Sequence, residues 1–470
     1  MSNCCVQTVP PDSSYKAFGQ PVEEWMARLT AGLNRSIEIT NQTMGDLERE
    51  ILQQTQGLER KLLEAASQKK AEQSPPVCPV CGHQLSRLSH GHERTYQTRF
   101  GPVSIRRSRG WCKRCKQWRF PADYALGLEE TGSASPSVQE MAALVASKMP
   151  VSEASAVLEH LTGVKLPPAT LDREARRQGQ RAERKRKELD EQMSLGGGAE
   201  QCVAVEQKPF TLVVEIDAWN IRERDDWGKS RQQRAQGVEP ARWHWVYGGT
   251  CFRLAGRQQT DTGRSVILSR GTVMTRGGVE GLREQLFAEC LRQGLGKAEE
   301  VLVVADGALW IWNLVNDRFG QARQRLDFYH ASQHLWAVAH ALHPEDPAAA
   351  YQWIEPLLKK LKAGQSVKVI AELELVTKRL RAKRRVEAER QLEYFRSHRQ
   401  RLDYRGAKQS GQPLGSGAIE STCRQYQCRF KRCGQFWSQS GDEALMCLET
   451  FWRNNRWHLL FPHSVDPSKN

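Results

Sequence analysis

No run of about 18 apolar residues occurs in this sequence, so no helix is expected to cross a bilayer. The opening stretch, MSNCCVQTVPPDSS, has neither a basic n-region nor an apolar h-region, which excludes a secretory signal peptide. No internal repeat is found. Acidic residues are in deficit, 54 Asp and Glu against 69 Lys and Arg, for a formal net charge of +15. Such a surplus sets up a positive field that attracts polyanions. These absences point to a soluble cytoplasmic protein, nucleoid-associated, with no membrane partner and with nucleic acid as the favoured one.

What is present supports real cores. Apolar residues make up 39% of the 470, and the 14 Trp argue against wholesale disorder. The length suits about three domains. Of the 13 Cys, four form two CxxC pairs. The others, such as Cys202, Cys251 and Cys290, read as core or surface thiols in a reducing compartment.

Residues 1–20 read as a flexible start. From about Pro21 to Gln68 apolar residues recur at three-to-four-residue steps, Trp25 and Leu29 through Leu58 and Leu62, with a slip near Gly45. This predicts a helical region that packs on its own protein or self-associates. SPPV at 74–77 breaks it. A cysteine-rich block with short β-like pieces follows over 78–120, then helices over 135–180, and SLGGGAE at 194–200 reads as a linker. From Thr211 the texture changes. TLVVEID, WHWVYGGTCF, SVILSRGTV and EEVLVVAD are strand-length apolar runs, with helical segments at Gly278–Arg292, Ala308–Asp317 and Ala331–Ala341. That alternation predicts an α/β domain. Residues 345–405 are helical and highly charged, and 415–460 are helical again.

Cys78-Pro-Val-Cys81 and Cys112-Lys-Arg-Cys115 are two knuckles that together offer four thiolates, the donor set of a structural Zn²⁺ ion. Gly82 permits the tight turn after the first knuckle. His83, His90 and His92 are spare ligands. Cations surround the knuckles, Arg106 and Arg107 among them, interleaved with Tyr96, Phe100, Trp111 and Trp118, a composition suited to contact with DNA. Residues 137–180 divide into Ser137–Lys148, a second helix with Ser152 as cap of Glu153–Leu161, a turn at 163–167, and a basic helix carrying Arg173, Arg176 and Arg177. Short helix, turn and basic helix fit a DNA-reading helix-turn-helix-like unit.

Asp217 and Asp306 each end an apolar strand, Leu212–Ile216 and Val301–Ala305. Two such strands side by side would bring two carboxylates to one cation, and hard oxygens suit Mg²⁺ or Mn²⁺. A third acid, Glu420, lies just inside a helix after a Gly-Ser-Gly, and shares a face with Arg424, Gln427 and Lys431, with Arg432 next. Phe436 and Trp437 follow, for core packing or for stacking on a splayed base.

The stretches VVEIDAW, ADGALWIW, DFYHASQHLW and GSGAIESTCRQYQCRFKRCGQFWS resemble the acid-bearing segments of ISKra-type bacterial insertion-sequence DDE transposases, related to the Mutator-like group. The resemblance implies a ribonuclease-H-like catalytic core over 201–340 and 406–460, with a helical insertion at 341–405. Before it would come an N-terminal helical region at 1–74, a zinc ribbon at 75–125, a helix-turn-helix-like domain at 126–193 and the linker 194–200, with a tail at 461–470 after it. It implies Asp217, Asp306 and Glu420 as ligands of two Mg²⁺ (or Mn²⁺) ions, and one structural Zn²⁺. Asp225 and Asp226 lie near the first acid, but in a polar stretch and not at a strand end, so Asp217 is kept. Asp327 and His330 match the family's Asp-x-x-His motif. His330 would orient an aspartate, bond the scissile phosphate or hold the strand–helix junction.

The expected activity is that of an insertion-sequence transposase, binding terminal inverted repeats and performing metal-dependent strand cleavage and transfer on double-stranded DNA, ends and target alike. Arg106, Arg107, Arg173, Arg176, Arg177, Arg424, Lys431 and Arg432 are its candidate DNA contacts, and at least a homodimer is expected. The alternatives are a zinc-ribbon DNA-binding regulator with an inactive core, and a ribonuclease-H-like nuclease without strand transfer.

Overall fold

The computed structural model describes residues 13–37, 41–128, 132–198, 201–204, 208–224, 228–239, 241–261 and 265–462. Asp225 and Asp226 lie outside them, as does most of the 461–470 tail. The chain divides into two compact units, residues 1–175 and 176–470.

In the first unit the N-terminal helical region is two helices, α1 (Ser13–Ile37) and α2 (Met44–Glu72). Thr43 and Asp46 form a capping box at the start of α2. The Trp25 indole donates to the Gln54 carbonyl at 3.1 Å, so α1 packs on its own neighbour. β1 (Ser86–Thr98), β2 (Gly101–Cys112) and β3 (Gln117–Arg119) follow as an antiparallel meander. Leu63 and Ala71 of α2 pack with Tyr96, Val103 and Ile105 of the sheet and Ala122 of α3 (Pro121–Ala125).

Next come α4 (Pro136–Lys148), α5 (Val151–Thr162) and α6 (Pro168–Ser194). α5 begins at Val151 with Pro150 at its cap, so Ser152 lies within the first turn and does not cap. Pro150, with φ already set near the helical value, starts the helix two residues sooner than the serine signal suggests.

In the second unit β4 (Thr211–Glu223) leads to α7 (Ser230–Ala235), β5 (Arg242–Arg253), β6 (Arg257–Gln259), β7 (Ser265–Ile267) and β8 (Gly271–Thr275). α8 (Gly278–Arg292), β9 (Glu300–Ala305), α9 (Leu309–Arg318), β10 (Arg323–Leu326) and α10 (Phe328–Leu342) follow. Then come α11 (Pro347–Lys362), α12 (Ser366–Arg379), α13 (Ala382–Ser397), α14 (Tyr404–Gln409), α15 (Gly417–Phe430), α16 (Gln439–Arg453) and α17 (Trp457–Leu460).

The main sheet has the order β10-β9-β4-β5-β8. β4, β5 and β8 pair antiparallel, whereas β9 and β10 run parallel to β4. β4 and β9 are apolar almost without alternation because both faces of the inner strands are covered. Val214, Ile216 and Val303 share one core with Leu335, Leu373 and Phe395. The charged segment read as an insertion is therefore bonded into the same core through the buried faces of α11 to α13.

SVILSRGTV is not one strand but β7 and β8, split at Leu268–Arg270. β10 was not anticipated, since RQRL is almost wholly charged and polar. Among the described residues no helix is long and apolar enough to cross a membrane.

Candidate active site and metal centres

β4 does not end at Asp217: it continues to Glu223. What ends there is its neighbour. The β4–β9 ladder closes with Ile216 beside Ala305, and β9 stops at Ala305. Asp217 and Asp306 are thus the next residues on two adjacent strands, whose spacing is about 4.8 Å. Asp217 Oδ1 accepts from the Ala218 amide at 2.7 Å, and Asp306 Oδ1 from the Ala308 amide at 2.8 Å as the chain turns into α9. Gly307 allows that turn to pass under the Tyr394 ring of α13, which a Cβ would overlap. Burial, then the charge of Asp306, pushes the Asp217 carboxyl above its ordinary range. The Ala218 amide and His330 oppose the shift, and Glu420 adds to it.

The helix that carries Glu420 is pinned at its N-terminus by two buried carboxylates. Glu215, on the same face of β4 as Asp217, accepts from the Ile419 amide at 2.9 Å. Burial raises Glu215 to about 8 even so. Asp327, fully buried at the cap of α10, accepts from the Ser416 amide, from Ser416 Oγ at 2.7 Å and from the His330 amide at 2.9 Å. The His330 imidazole beside it foremost, then these bonds, outweigh burial and hold its carboxyl at about 2. The first amides of a helix lack partners and carry partial positive charge, which is what both acids satisfy. Gly248, opposite Asp217 in β5, lets α15 come close: a Cβ there would lie 2.9 Å from Met274 Sδ and 3.4 Å from Ile419 Cδ1.

Among the described residues, Asp327, His330 and Glu420 offer ligand atoms within 4.8 Å of one another. The expected trio Asp217, Asp306 and Glu420 does not close to that span, although its members act on one another electrostatically through the same space. Asp327 spends its oxygens on three donors, so it positions the site. His330 Nδ1 stands 3.5 Å from Asp327 Oδ1. Asp327 foremost, then Asp306 and Glu420, raise the imidazole to about 9 against the effect of burial. At neutral pH an imidazolium thus sits among the acids.

In the first unit the two cysteine knuckles meet. Cys78 and Cys115 sulfurs are 3.9 Å apart, those of Cys81 and Cys112 3.5 Å, and all four lie within 4.8 Å. A tetrahedron with metal–sulfur bonds of about 2.3 Å sets its sulfurs about 3.8 Å apart, so the donors fit zinc in kind and span. Burial raises the Cys78 thiol, but the amides of Cys81 and Val80 outweigh it and bring it to about 6.

The candidate cations divide. Arg107 is 6% exposed, ion-paired to Asp123 and laid over the Phe120 ring at 4.2 Å. It is a core residue, because the Asp123 carboxylate buried beside it needs a countercharge. Arg106 and Arg173 are exposed. Arg176 and Arg177 are half-buried, and Arg176 donates to Ser438 Oγ at 3.1 Å. Arg424 is exposed, 4.0 Å from Glu420; Lys431 and Arg432 are exposed at the end of α15. Trp437 is buried and bonds the Phe430 carbonyl, hence a packing residue.

Sequence reasoning missed Glu215, although an acid inside TLVVEID is the signal that marks it. It is expensive to bury there without a donor.

Residues 285–457 match an uncharacterised protein family, UPF0236. The matched span holds Asp306, Asp327, His330 and Glu420 but not Asp217. A relative from Streptococcus gallolyticus, called "UPF0236 protein in vanSb 3'region", is 26% identical over 392 residues, covering 78% of this chain and 74% of its own length. These findings overturn the ISKra-type assignment. Three of the four segments that carried that resemblance, all but VVEIDAW, fall inside the UPF0236 match, and UPF0236 is not a recognised DDE transposase family. Short acid-bearing motifs on a strand and a helix follow from the needs of a carboxylate site and do not distinguish one family from another.

Proposed function

We propose that this chain cleaves DNA phosphodiesters and transfers the freed strand ends to a second DNA, the reaction of a transposase. The reading rests on the site and on charge, not on a family name. The observation that carries it is the placement of Asp217 and Asp306 at neighbouring positions where β9 ends, facing the pinned helix of Glu420. The sheet order, three antiparallel strands followed by two parallel to the first, supports a ribonuclease-H-like core.

Asp217, Asp306 and Glu420 are the oxygen donors for Mg²⁺ or Mn²⁺. When bound, such ions supply Lewis acidity and a nucleophilic oxygen at neutral pH. Asp327 and Glu215 hold the α15 N-terminus so that Glu420 faces the two strand acids. The His330 imidazolium offers positive charge to a phosphate entering between them. Cys78, Cys81, Cys112 and Cys115 form a closed thiolate set for one structural Zn²⁺. Around it the β-meander, with Arg106 exposed, acts as a zinc ribbon, and α4 to α6 as a helix-turn-helix-like unit, both on double-stranded DNA. Arg173, Arg424, Lys431 and Arg432 supply further charge for backbone contact, and action on two DNA ends calls for at least a dimer on the nucleoid.

The test uses the purified full chain, Mg²⁺ or Mn²⁺, and a plasmid carrying the DNA that flanks its own gene on both sides. Joined products in the wild type, lost in Asp306→Asn and Glu420→Gln by on the order of a thousandfold or more, support the reading. Cleavage without joining makes the protein a nuclease. DNA binding with neither product makes it a regulator with an inactive core, and the proposal is then wrong.

A further inference from the structure

Beyond Asp217 the outer half of β4 loses β9 as a neighbour, and another segment takes the vacated edge. The Trp437 amide donates to the Arg222 carbonyl at 3.1 Å, and the Arg224 amide donates back to Trp437 at 2.8 Å. On the other side β5 pairs Trp245 with Asn220 and Trp243 with Arg222. Residues paired across a ladder point to the same face. That face therefore carries Asn220, Arg222, Trp243 and Trp245, and Phe436, next to Trp437, comes up beside them.

The two tryptophans are 54% and 55% exposed, unusual for rings this large on a strand. Cations surround them. Arg222 lies 5.5 Å from the Trp243 ring and 5.3 Å from Phe436, and Arg224 lies 4.2 Å from Phe436. Lys431 stands 5.2 Å from Trp243, and among the described residues its ammonium bonds the neutral Asn220 amide oxygen, at 2.9 Å. No ring or cation stacks on Trp245 among the described residues. Arg222 also lies 3.9 Å from the Glu239 carboxylate, and an apolar protein partner would have to desolvate these charged groups. A polyanion with flat apolar faces would satisfy both features.

We infer that Trp243 and Trp245, with Lys431, Arg222 and Phe436, form a stacking platform for the unpaired bases of a DNA single strand. The inference rests on the DNA reading above and extends it to the state of the DNA. From Asp217 to Asn220 is three residues of strand, about 10 Å, or one to two nucleotides of an extended strand. Side chains alternate along a strand, so the tryptophans lie on the face of β4 opposite Asp217, and the platform holds bases of a strand segment outside the acid site, unstacked from the complementary strand. Lys431 and Arg222 neutralise the phosphates of that segment.

The test is metal-free binding, measured by fluorescence anisotropy with the full chain, on a labelled oligo-dT of about 15 nucleotides and on a duplex of the same length. Variants are Trp243→Ala with Trp245→Ala, and the Phe pair at the same positions. Expected is a weakening of single-strand binding by roughly tenfold per ring removed, about 1.4 kcal/mol of stacking each. Duplex binding changes less than about threefold, and the Phe pair retains most of the single-strand affinity. Unchanged single-strand affinity in the double Ala variant overturns the proposal. So does an equal loss on both DNAs, which would mark a general basic surface. Because no metal or cleavage enters this measurement, a protein that binds single strands but never cuts them fails the functional reading alone.

Discussion

Asp327→Asn isolates the device that aims Glu420. The wild-type carboxylate is fully buried and accepts from the Ser416 amide, the Ser416 hydroxyl and the His330 amide. Asparagine keeps the shape but offers one acceptor oxygen, and its NH₂ then faces one of those donors. Hydrogen bonds to a charged group contribute about 1.5–3 kcal/mol each, and a buried donor left without a partner costs about 1–3 kcal/mol. A loss of roughly 3 kcal/mol follows. A carboxyl held at about 2 where 3.8 is ordinary, by the His330 ring foremost and then these donors, is stabilised as an ion by roughly 2.5 kcal/mol. A depressed carboxyl contributes this stability above its unfolded value and loses it as the pH falls toward 2, so neutral pH shows the full effect.

Two compact units make a single global unfolding free energy ill-defined. Hydrogen exchange read by mass spectrometry over Gly415–Glu420 reports the local opening directly. Asp327→Asn should speed exchange there by about a hundredfold, with Ser416→Ala giving a smaller effect. The double variant should fall short of the sum by about 1 kcal/mol, because the two residues share the bond. Exchange in that peptide unchanged within threefold would refute the clamp.

Three other expectations come from the same contacts. Cys81→Ser should lower the zinc content of the chain from about one ion towards none by elemental analysis, and a chelator should melt the β-meander of the wild type, since structural zinc contributes folding energy outright. Asp442 is fully buried against Glu223 and Arg276, and burial foremost, then Glu223, raises its carboxyl far above the ordinary range. The folded state then holds a proton that the unfolded chain releases, so stability should fall as pH rises above 4, by at most about 1.4 kcal/mol per pH unit. Asp442→Asn should flatten that slope in thermal melts between pH 5 and 8. Arg107→Ala should destabilise the first unit by about 3–5 kcal/mol, as Asp123 loses its buried partner, whereas Arg106→Ala should weaken duplex binding and reduce its salt dependence with little effect on the melt.

Much of the site's raw material was legible. TLVVEID and EEVLVVAD read as strands, and the acids at their ends do lie side by side. The segment Gly278–Arg292 coincides with α8. The Cys78–Cys81 and Cys112–Cys115 knuckles converge as their spacing suggests. The errors share a cause. Asp217 was placed at a strand end because the apolar run stops there, but β4 continues with polar residues that pair to β5 and to Trp437. Arg107 was counted with its exposed neighbours because composition says nothing of which face of β2 turns inward. Family likeness carried by short acid motifs gave way to the UPF0236 match.

Local chain chemistry, then, determined which segments become strands and helices, where the thiols cluster, and that the protein carries a strong positive charge. Those properties depend on neighbours a few residues apart, and hydrophobic periodicity reports them. Tertiary structure decided which carboxylates face one another, that Glu215 and Asp327 hold the helix of Glu420, and that Trp243 and Trp245 remain uncovered. Each of these joins residues distant along the chain, and such contacts depend on strand register and close packing, which leave no local pattern.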